Sequence, residues 1–363
     1  MVVNALDHHF LPYLCSSMQT SRQDIRLLSK DALTAYFATI GEKPFRAKQV
    51  YEWIWKKSAR SFEEMTNLSK ELRNALEEHF VINAISVATK QTSNDRTIKS
   101  GFKLHDSHII EGVLIPTDDR MTACVSSQVG CSLTCKFCAT GRLDRIRNLD
   151  AAEIYDQVAI IKHQAESAYG IPLSNVVYMG MGEPLLNYAN VIESIERITS
   201  HEGLGMAPKR ITVSTAGIAK MIKKLGDDQV KFNLALSLHA ANDIKRDKIM
   251  PINEHNSLEA LKEALQYFYS KTKSRVTLEY IVFKGFNDEI SDARELAEFC
   301  KSVPCKVNLI EYNPIEGGEF TNAAEDKINA FWQFLVDRNI IVNFRRSRGK
   351  DIDAACGQLA NKH

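Results

Sequence analysis

The sequence predicts an α/β protein, in which an open, partial (β/α)6 barrel follows a small helical domain. From about residue 122 onward, short apolar runs with strand character alternate with amphipathic stretches of helical length. This alternation indicates parallel strands joined by right-handed crossovers. About six such units are present, which is too few to close an eight-stranded barrel. Before residue 85, by contrast, apolar residues recur mainly at helical spacing.

The N-terminal part divides into a tail and a helical domain. Residues 1–22 carry no structural signal, and we expect a tail that need not be ordered. We expect the helical domain at residues 23–84, with a break at residues 41–44, where glycine and proline interrupt the pattern. Its periodic apolar residues are Leu27, Leu28, Leu33 and Phe37, then Val50, Trp53 and Ile54, then Leu68, Leu72 and Leu76.

Three further segments follow. We expect a strand-rich linker at residues 85–121, the barrel at residues 122–345 and a C-terminal tail at residues 346–363. The clearest strand of the linker is residues 109–115, which Asp106 and Pro116 bound. The expected barrel strands are residues 122–126, 175–179, 210–214, 231–238, 276–283, 306–310 and 340–344, and the expected helices are residues 151–168, 188–200, 217–225, 257–271, 291–302 and 324–338.

Composition favours an intracellular enzyme. The chain has 363 residues, a hydrophobic content of 44% and a net charge of +1, so charge alone argues neither for nor against a nucleic-acid partner. Eight cysteines in this length do not resemble a secreted disulfide framework, and reactive thiols need a reducing compartment. No segment approaches 18 consecutive apolar residues, and the first residues do not resemble a secretion signal. We therefore expect a cytoplasmic protein without a membrane span.

The most informative motif is the run of Cys131, Cys135 and Cys138, which has the spacing C-x3-C-x2-C. Thiolates are the usual ligands of iron–sulfur clusters, and three ligands on a four-iron cluster leave one iron open. S-adenosylmethionine (SAM) can chelate an open iron, and an electron can then split it into methionine and a 5′-deoxyadenosyl radical. The run resembles the mark of the radical SAM superfamily. The alternatives are three ordinary thiols or a zinc site, although zinc sites usually add a second C-x2-C pair or histidines, and this run has neither.

Polar residues follow the later barrel strands, at the end where such folds carry their sites. Residues 179–187 contain two glycines, which let the backbone approach a ligand closely. Each residue of this row also has a structural explanation as a helix cap or turn residue. The candidate SAM-binding residues are Gly182, Glu183, Ser214, Ser237, Leu238, His239 and Asn313.

Two cysteines outside the run are candidates for chemistry. Cys124 comes at the end of the first barrel strand, and Cys356 lies in a polar segment near the C-terminus with four basic residues upstream. Basic neighbours lower the pKa of a thiol and favour the reactive thiolate. Both could instead be small core residues, as free cysteines often are. Cys300 and Cys305 have apolar surroundings and are expected in the core.

Five segments resemble the RlmN family, the dual-specificity RNA adenine C2 methyltransferases, and the resemblance runs from about residue 26 to 360. One departure is visible at residues 141–149, which lack an expected second glycine cluster. The five segments are residues 124–131, 179–187, 213–217, 236–239 and 351–359.

The resemblance implies a two-stage reaction that consumes two SAM molecules and requires one [4Fe-4S] cluster. Cys356 accepts a methyl group from the first SAM, and its methyl carbon is then activated and added to C2 of an adenine. Glu111 is the implied proton acceptor. Without the resemblance, it would be interpreted as an exposed carboxylate on a strand. Cys124 is implied to release the product through a transient disulfide with Cys356. The implied partners are 23S rRNA, tRNA and an electron donor such as flavodoxin with its reductase, and the implied state is a monomer.

The residues themselves support an RNA substrate only weakly. Residues 43–60 carry six basic side chains against one acidic side chain, interleaved with four aromatic residues. Cations neutralise phosphates and aromatic faces stack bases, but a helix with a solvated basic face has the same pattern. Two other functions remain open: a Cfr-type methyltransferase that modifies C8, and a non-catalytic iron–sulfur protein that binds RNA or acts as a sensor.

Overall fold

The computed structural model describes residues 22–361. The expected N-terminal tail therefore lies outside the described residues, apart from Arg22. None of the helices formed by the described residues is both long and apolar enough to cross a bilayer. The N-terminal part contains two short strands and three helices: β1 (Gln23–Asp24), β2 (Phe80–Val81), α1 (Lys30–Thr39), α2 (Pro44–Trp55) and α3 (Lys70–His79).

Serine N-caps fix the starts of α1 and α3, because the Ser29 and Ser69 hydroxyls each accept a bond from the backbone amide of the third helical residue. A buried ion pair joins this helical region to the rest of the protein. Arg26, on the short segment after β1, contacts Asp24 at 2.9 Å and Asp156 at 2.8 Å. The helical region is therefore packed on the barrel rather than tethered to it.

The rest of the described chain is built on one ten-stranded sheet. The strands after the helical region are β3 (Ser86–Thr92), β4 (Ile98–Lys103), β5 (Ile109–Pro116), β6 (Met121–Cys124), β7 (Gln128–Val129), β8 (Arg147–Asn148), β9 (Asn175–Tyr178), β10 (Ile211–Thr215), β11 (Asn233–Ser237), β12 (Val276–Ile281), β13 (Cys305–Ile310) and β14 (Val342–Arg345). The strand order is β14-β13-β12-β11-β10-β9-β6-β5-β4-β3, and β7 pairs only with β8.

The predicted open α/β barrel is confirmed. Strands β6 and β9 to β14 are parallel to one another, so their carboxyl ends lie at one edge of the sheet. The connecting helices are α4 (Ala151–Tyr169), α5 (Tyr188–Thr199), α6 (Ala219–Asp227), α7 (Asp243–Ile249), α8 (Leu258–Thr272), α9 (Ile290–Cys300) and α10 (Glu325–Val336). Six of these match the expected helices within a few residues, whereas the short helix α7 was not predicted.

Residues 85–121, expected as a strand-rich linker, extend the barrel sheet. Strands β3, β4 and β5 are antiparallel to one another, and β5 pairs antiparallel with β6. The extension lies beside the first barrel strand, and its buried residues, such as Ile110 and Leu114, are part of the main core. This placement puts Glu111, on β5, within reach of the mouth of the barrel.

Candidate active site

The carboxyl ends of the barrel strands surround a half-open cavity of about 160 Å³. We call it the barrel cavity. This position is the one that parallel barrels use for ligands, because the loops after each strand converge there. The predicted residues that line it are Cys131, Cys135, Cys138, Gly182, Glu183, Ser214, Ser237, His239 and Cys356.

Cys131, Cys135 and Cys138, the cluster cysteines, lie on an irregular loop that backbone hydrogen bonds hold in place. Gly130 enters this loop with φ of +76°, and a Cβ there would lie 2.0 Å from the carbonyl oxygen of Asp144, so only glycine fits. The amide of Cys138 donates to the carbonyl of Cys135 at 3.2 Å. Burial raises the pKa of all three thiols, that of Cys131 to about 11. Metal binding would deprotonate them.

The arrangement of the cluster cysteines fits a cubane cluster. Among residues 22–361, no three histidine, cysteine or acidic side chains converge on a point that could hold a single metal ion. A cubane cluster does not need such convergence, because each thiolate binds a different iron. The three thiols instead border one cavity whose remaining wall carries polar groups, which leaves room for a ligand on a fourth iron.

Glu183 lies at the cavity wall after β9 and is held by backbone amides. Its two carboxylate oxygens accept bonds from the amides of Ala216 at 2.7 Å and Leu185 at 3.0 Å. Burial raises its pKa, and these two amides oppose the rise. A carboxylate has about four acceptor positions, so Glu183 can still accept a bond from an ammonium group.

Gly182 brings the backbone next to Glu183 close to a buried glutamine. Its φ is +93°, and a Cβ at this position would lie 2.5 Å from Cβ of Gln128. The side chain of Gln128 accepts a bond from the amide of Glu183 at 2.8 Å. The glycine is therefore required both for the left-handed backbone and for this close approach.

His239 is a buried neutral imidazole. Its Nδ1 accepts a hydrogen bond from the amide of Ile281 at 3.1 Å, so the proton of the neutral ring is on Nε2. Burial, followed by the charge of Arg246, lowers its pKa to about 3. The ring packs edge-on against Phe137, with ring centres 4.6 Å apart, and so touches the loop of the cluster cysteines.

Arg246, on helix α7, is a residue of the site that the sequence analysis missed. It is fully buried, and its guanidinium donates to the carbonyl oxygens of Ala216 at 2.6 Å and Leu238 at 3.1 Å, and to the side chain of Asn253 at 2.7 Å. Ala216 and Leu238 follow strands β10 and β11. Arg246 therefore ties together the two strand ends that carry candidate SAM-binding residues. The sequence of α7, which is short and carries both acidic and basic residues, does not indicate that Arg246 binds these carbonyl groups.

The C-terminal segment, residues 349–361, folds over the mouth of the barrel. The carbonyl oxygen of Cys356 accepts a bond from the side chain of Asn313 at 3.1 Å. The carbonyl oxygen of Gly357 accepts a bond from the amide of Ala139 at 2.7 Å. Ala139 directly follows the last cluster cysteine, Cys138. Cys356 is an accessible residue, and it forms part of the wall of the barrel cavity. Its thiol is nevertheless surrounded by protein atoms, which desolvate it. The structure therefore brings Cys356 and the cluster cysteines to one cavity.

Arg345, at the end of β14, is the cation beside Cys356. Its guanidinium lies 3.3 Å from the carboxylate of Glu279, on β12, and both residues line the barrel cavity. Burial raises the pKa of the Cys356 thiol, the charge of Arg345 lowers it, and Glu279 raises it. Of the four basic residues expected to act on this thiol, Arg345 is the one that does so.

Cys124, Glu111, Leu238 and Asn313 are predicted site residues that do not line the barrel cavity. Cys124 is buried at the end of β6, where burial and then the nearby Cys356 sulfur raise its pKa to about 12. Leu238 contributes its backbone carbonyl, which accepts a bond from Arg246. The side chain of Asn313 binds the carbonyl oxygen of Cys356 and so positions that residue. Glu111 is buried and its carboxylate binds the backbone amides of Ala360 at 2.8 Å and Asn361 at 3.1 Å.

Cys300 and Cys305 lie apart from the site. The Cys305 sulfur is 3.8 Å from the carbonyl oxygen of Cys300, at the junction of α9 and β13. Both residues are half-buried and pack against the main core. This junction precedes β13, whereas the barrel cavity lies at the opposite, carboxyl end of the strands.

The basic helix α2 presents part of its predicted surface to solvent. Phe45 and the basic side chains of residues 43–60 other than Arg46 are exposed, and Lys57 stacks on Trp53 with 3.6 Å between its ammonium and the ring centre. Tyr51 and Trp55, by contrast, are buried in the core. The exposed ring of Phe45 and the five exposed cations, one on α2 and four in the flanking residues, therefore form a basic surface.

Two family models match the chain. Residues 24–82 match the ribosomal RNA large subunit methyltransferase N-terminal domain, and residues 125–300 match the radical SAM superfamily. The first covers the helical region and the second covers the barrel through α9. The matches thus place an RNA methyltransferase domain beside a barrel of the type that binds a [4Fe-4S] cluster and SAM.

Curated relatives match nearly the full length. A probable dual-specificity RNA methyltransferase RlmN from Cytophaga hutchinsonii is 63% identical, over 96% of this chain and 97% of the relative. The one from Flavobacterium johnsoniae is 59% identical over 95% of this chain and 99% of its own length. A dual-specificity RNA methyltransferase RlmN from Geobacter sulfurreducens is 42% identical, over 93% and 92% of the two chains.

A solved structure shares the fold. The crystal structure of a radical SAM methyltransferase from Sphaerobacter thermophilus superposes with a TM-score of 0.89 at 37% identity. The match covers 94% of this chain and all of that one. With the cluster cysteines and Cys356 around one cavity, these similarities show that the chain belongs to the RlmN family of radical SAM RNA methyltransferases.

Proposed function

We propose that this enzyme methylates C2 of an adenine in the peptidyl transferase centre of 23S rRNA and of the adenine next to the anticodon in tRNA. The observation that carries the proposal is the position of Cys356, which borders the same cavity as the cluster cysteines. A carbon bound to this sulfur would lie in the space where SAM is cleaved. The names of the relatives supply the RNA substrate.

The cluster, when bound by Cys131, Cys135 and Cys138, supplies the electron that cleaves SAM. The chain's own residues carry the methyl group. The Cys356 thiolate first attacks the methyl carbon of one SAM, which forms a carbon–sulfur bond on Cys356 and releases S-adenosylhomocysteine. A second SAM then provides the radical that removes a hydrogen atom from this S-methyl group. Such a route is needed because an aromatic C–H carbon is too weak a nucleophile for direct methyl transfer.

The carbon on Cys356 then adds to C2 of the adenine and links enzyme and RNA. This adduct would return one electron to a cluster that the cluster cysteines hold and that was oxidised when it gave its electron to SAM. Loss of the C2 proton to Glu111 then restores the aromatic ring. The Cys124 thiolate attacks the Cys356 sulfur, the new disulfide forms, and the released carbon takes a proton to become the methyl group. An external dithiol–disulfide exchange must then reduce the disulfide before the next turnover.

The exposed face of α2 supports RNA binding. Five exposed cations on this helix and its flanking residues can neutralise phosphates, and the exposed ring of Phe45 can stack on a base. The target base must leave its stack at a cost of a few kcal/mol, which is least in loops. We further propose that the enzyme acts in the cytoplasm, where both RNAs are found, and takes its electrons from a flavodoxin-type donor.

Mass spectrometry of the protein and its RNA product tests the proposal. Anaerobically reconstituted protein should bind about four irons per chain. The peptide that contains Cys356 should carry an adduct of about 14 Da, and the RNA product should be 2-methyladenosine. Replacing any cluster cysteine by alanine should abolish SAM cleavage, whereas Cys300→Ala should not. A product methylated at C8, or an adduct on Cys300 or Cys305 alone, would contradict the proposal.

A further inference from the structure

The C-terminal segment is anchored to the antiparallel extension of the sheet on both sides of Cys356. On the upstream side, the carboxylate of Asp351 accepts bonds from the Ser93 hydroxyl and from the amide of Asn94 at 3.0 Å. In return, Asp95 accepts a bond from the amide of Gly349 at 2.8 Å. These contacts are made by the turn between β3 and β4, and they fix where the segment begins.

The downstream anchor is Glu111, on β5. One carboxylate oxygen accepts bonds from the amides of Ala360 at 2.8 Å and Asn361 at 3.1 Å. The other lies 3.3 Å from the ammonium of Lys99, on β4, which also approaches the carbonyl oxygen of Asp353 at 3.5 Å. Both side chains are almost fully buried, and hydrogen bonds to charged groups are stronger than neutral ones.

The segment between the two anchors borders two cavities. Cys356 and Gly357 line the barrel cavity. Asp353, Gln358 and Ala360 line a second cavity of about 280 Å³. Displacement of the segment would therefore enlarge both cavities and widen the approach to Cys356.

The same contacts cover Glu111. Its side chain is only 1% exposed and does not border the barrel cavity. The amides of residues 360–361 occupy one carboxylate oxygen, and the ammonium of Lys99 lies at the other. A carboxylate in this position can receive a proton from RNA only after these residues have moved away.

We propose that Glu111 and Lys99 are the latch of the C-terminal segment, and that the latch opens within each reaction cycle. The inference rests on the proposed function, since it assigns a second task to the proposed proton acceptor. While the latch is closed, Cys356 is held at the barrel cavity, where it receives and activates its methyl group. When residues 360–361 leave Glu111, the approach to Cys356 widens for the adenine, and the carboxylate is free to take the C2 proton.

Hydrogen exchange of the reconstituted enzyme, followed by mass spectrometry, tests the latch without using activity. The variant is the chain ended after Leu359, which lacks both amides that bind Glu111. The control is the chain ended after Asn361, which keeps them. Loss of a charge-assisted contact corresponds to about tenfold or more in an opening equilibrium, so exchange within residues 352–359 should accelerate by about that factor in the variant alone.

A pair of substitutions keeps the test decisive if the shortened chain does not fold. Lys99→Met removes the charge behind Glu111 and should accelerate exchange in the same peptide, and Lys99→Arg should restore slow exchange. Lys103→Met, at an exposed position of the same strand, should leave exchange unchanged. Equal exchange in the shortened chain and its control, or in Lys99→Met and the natural enzyme, would overturn the latch.

The latch and the proposed function fail in different ways. Methylation of Cys356 requires neither RNA nor a proton acceptor, so the S-methyl adduct reports on the proposed function alone. An adduct with unchanged hydrogen exchange in the variants would overturn the latch and leave the methyl carrier intact. Accelerated exchange in the variants without any adduct on Cys356 would have a different meaning. It would support the role of Glu111 and Lys99 in holding the C-terminal segment, and it would overturn the reaction assigned to the site.

Discussion

Nη2 of Arg246 lies 2.6 Å from the carbonyl oxygen of Ala216. The amide of Ala216 in turn donates to Glu183 at 2.7 Å. A single residue after β10 thus links a buried cation to a carboxylate at the wall of the barrel cavity. The position of Glu183 therefore depends on Arg246, although the two side chains do not touch.

Arg246→Met should destabilise the protein strongly. It would remove the Arg246 donor from the carbonyl of Ala216 and the side chain of Asn253, and each unsatisfied buried group costs about 1–3 kcal/mol. The carbonyl of Leu238 would lose one donor and keep the amide of Ala240. We expect a loss of more than about 3 kcal/mol in the free energy of unfolding, measured by denaturant titration of the apoprotein. Lys248→Met, at an exposed position of the same helix, is the control and should change it little. A loss no larger than that of the control would mean that Arg246 does not tie the strand ends together.

His239 should make stability depend on pH. Its pKa is lowered in the folded protein to about 3, so the unfolded chain binds the proton more readily. The stability that comes from the neutral ring is therefore complete above about pH 6.5 and is lost as the pH falls toward 3. Between pH 7 and 5 this contribution should amount to up to about 2 kcal/mol. His239→Gln should flatten the pH dependence over this interval, and the exposed His163→Gln should not. An unchanged slope in His239→Gln would show that the imidazole does not remain neutral.

The sequence was sufficient for features that depend on local spacing. The spacing of the cluster cysteines and the alternation of strands and helices can both be recognised in short stretches of sequence. The alternation was enough to predict the barrel. Residues 85–121 were harder, because whether a strand joins a larger sheet depends on its partners. Strand β5 pairs antiparallel with β6, and no residue pattern within the segment indicates that β6 is its partner.

The sequence could not reveal relationships between distant residues. Glu111 and Ala360 are 249 positions apart, and backbone amides that bind a carboxylate leave no trace in residue identity. His239 adopts a left-handed backbone with φ of +54°, which residue type alone does not predict. Arg246 lies on a seven-residue helix that is too short for a reliable periodic signal. These features follow from tertiary packing, which overrides local preference.

Arg345→Gln should make Cys356 a less reactive thiol. Burial already raises the pKa of this thiol, and the charge of Arg345 acts against that rise. Removing the charge should move the pH profile of Cys356 alkylation to higher pH, because the thiolate is the reactive form. The profile can be measured with iodoacetamide and peptide mass spectrometry. Arg346→Gln, at the next and exposed position, should leave the profile unchanged, and equal profiles for both variants would contradict the role of Arg345.

Cys124→Ala separates a resolving thiol from a core residue. If Cys124 resolves the adduct, its sulfur must come close enough to Cys356 for a disulfide, with Cα atoms about 4.4–6.8 Å apart. The nearby Cys356 sulfur already contributes to the raised pKa of Cys124, which supports this approach. The variant should still place a methyl group on Cys356 and still cleave SAM. It should then stop with the enzyme sulfur bound to the adenine through the methylene carbon. This species would appear as an electrophoretic shift that survives denaturant and disappears after ribonuclease treatment. Cys300→Ala is the matched control and should turn over without trapped RNA. Normal turnover by Cys124→Ala would show that the thiol only packs the end of β6, and the transient disulfide would have to be abandoned.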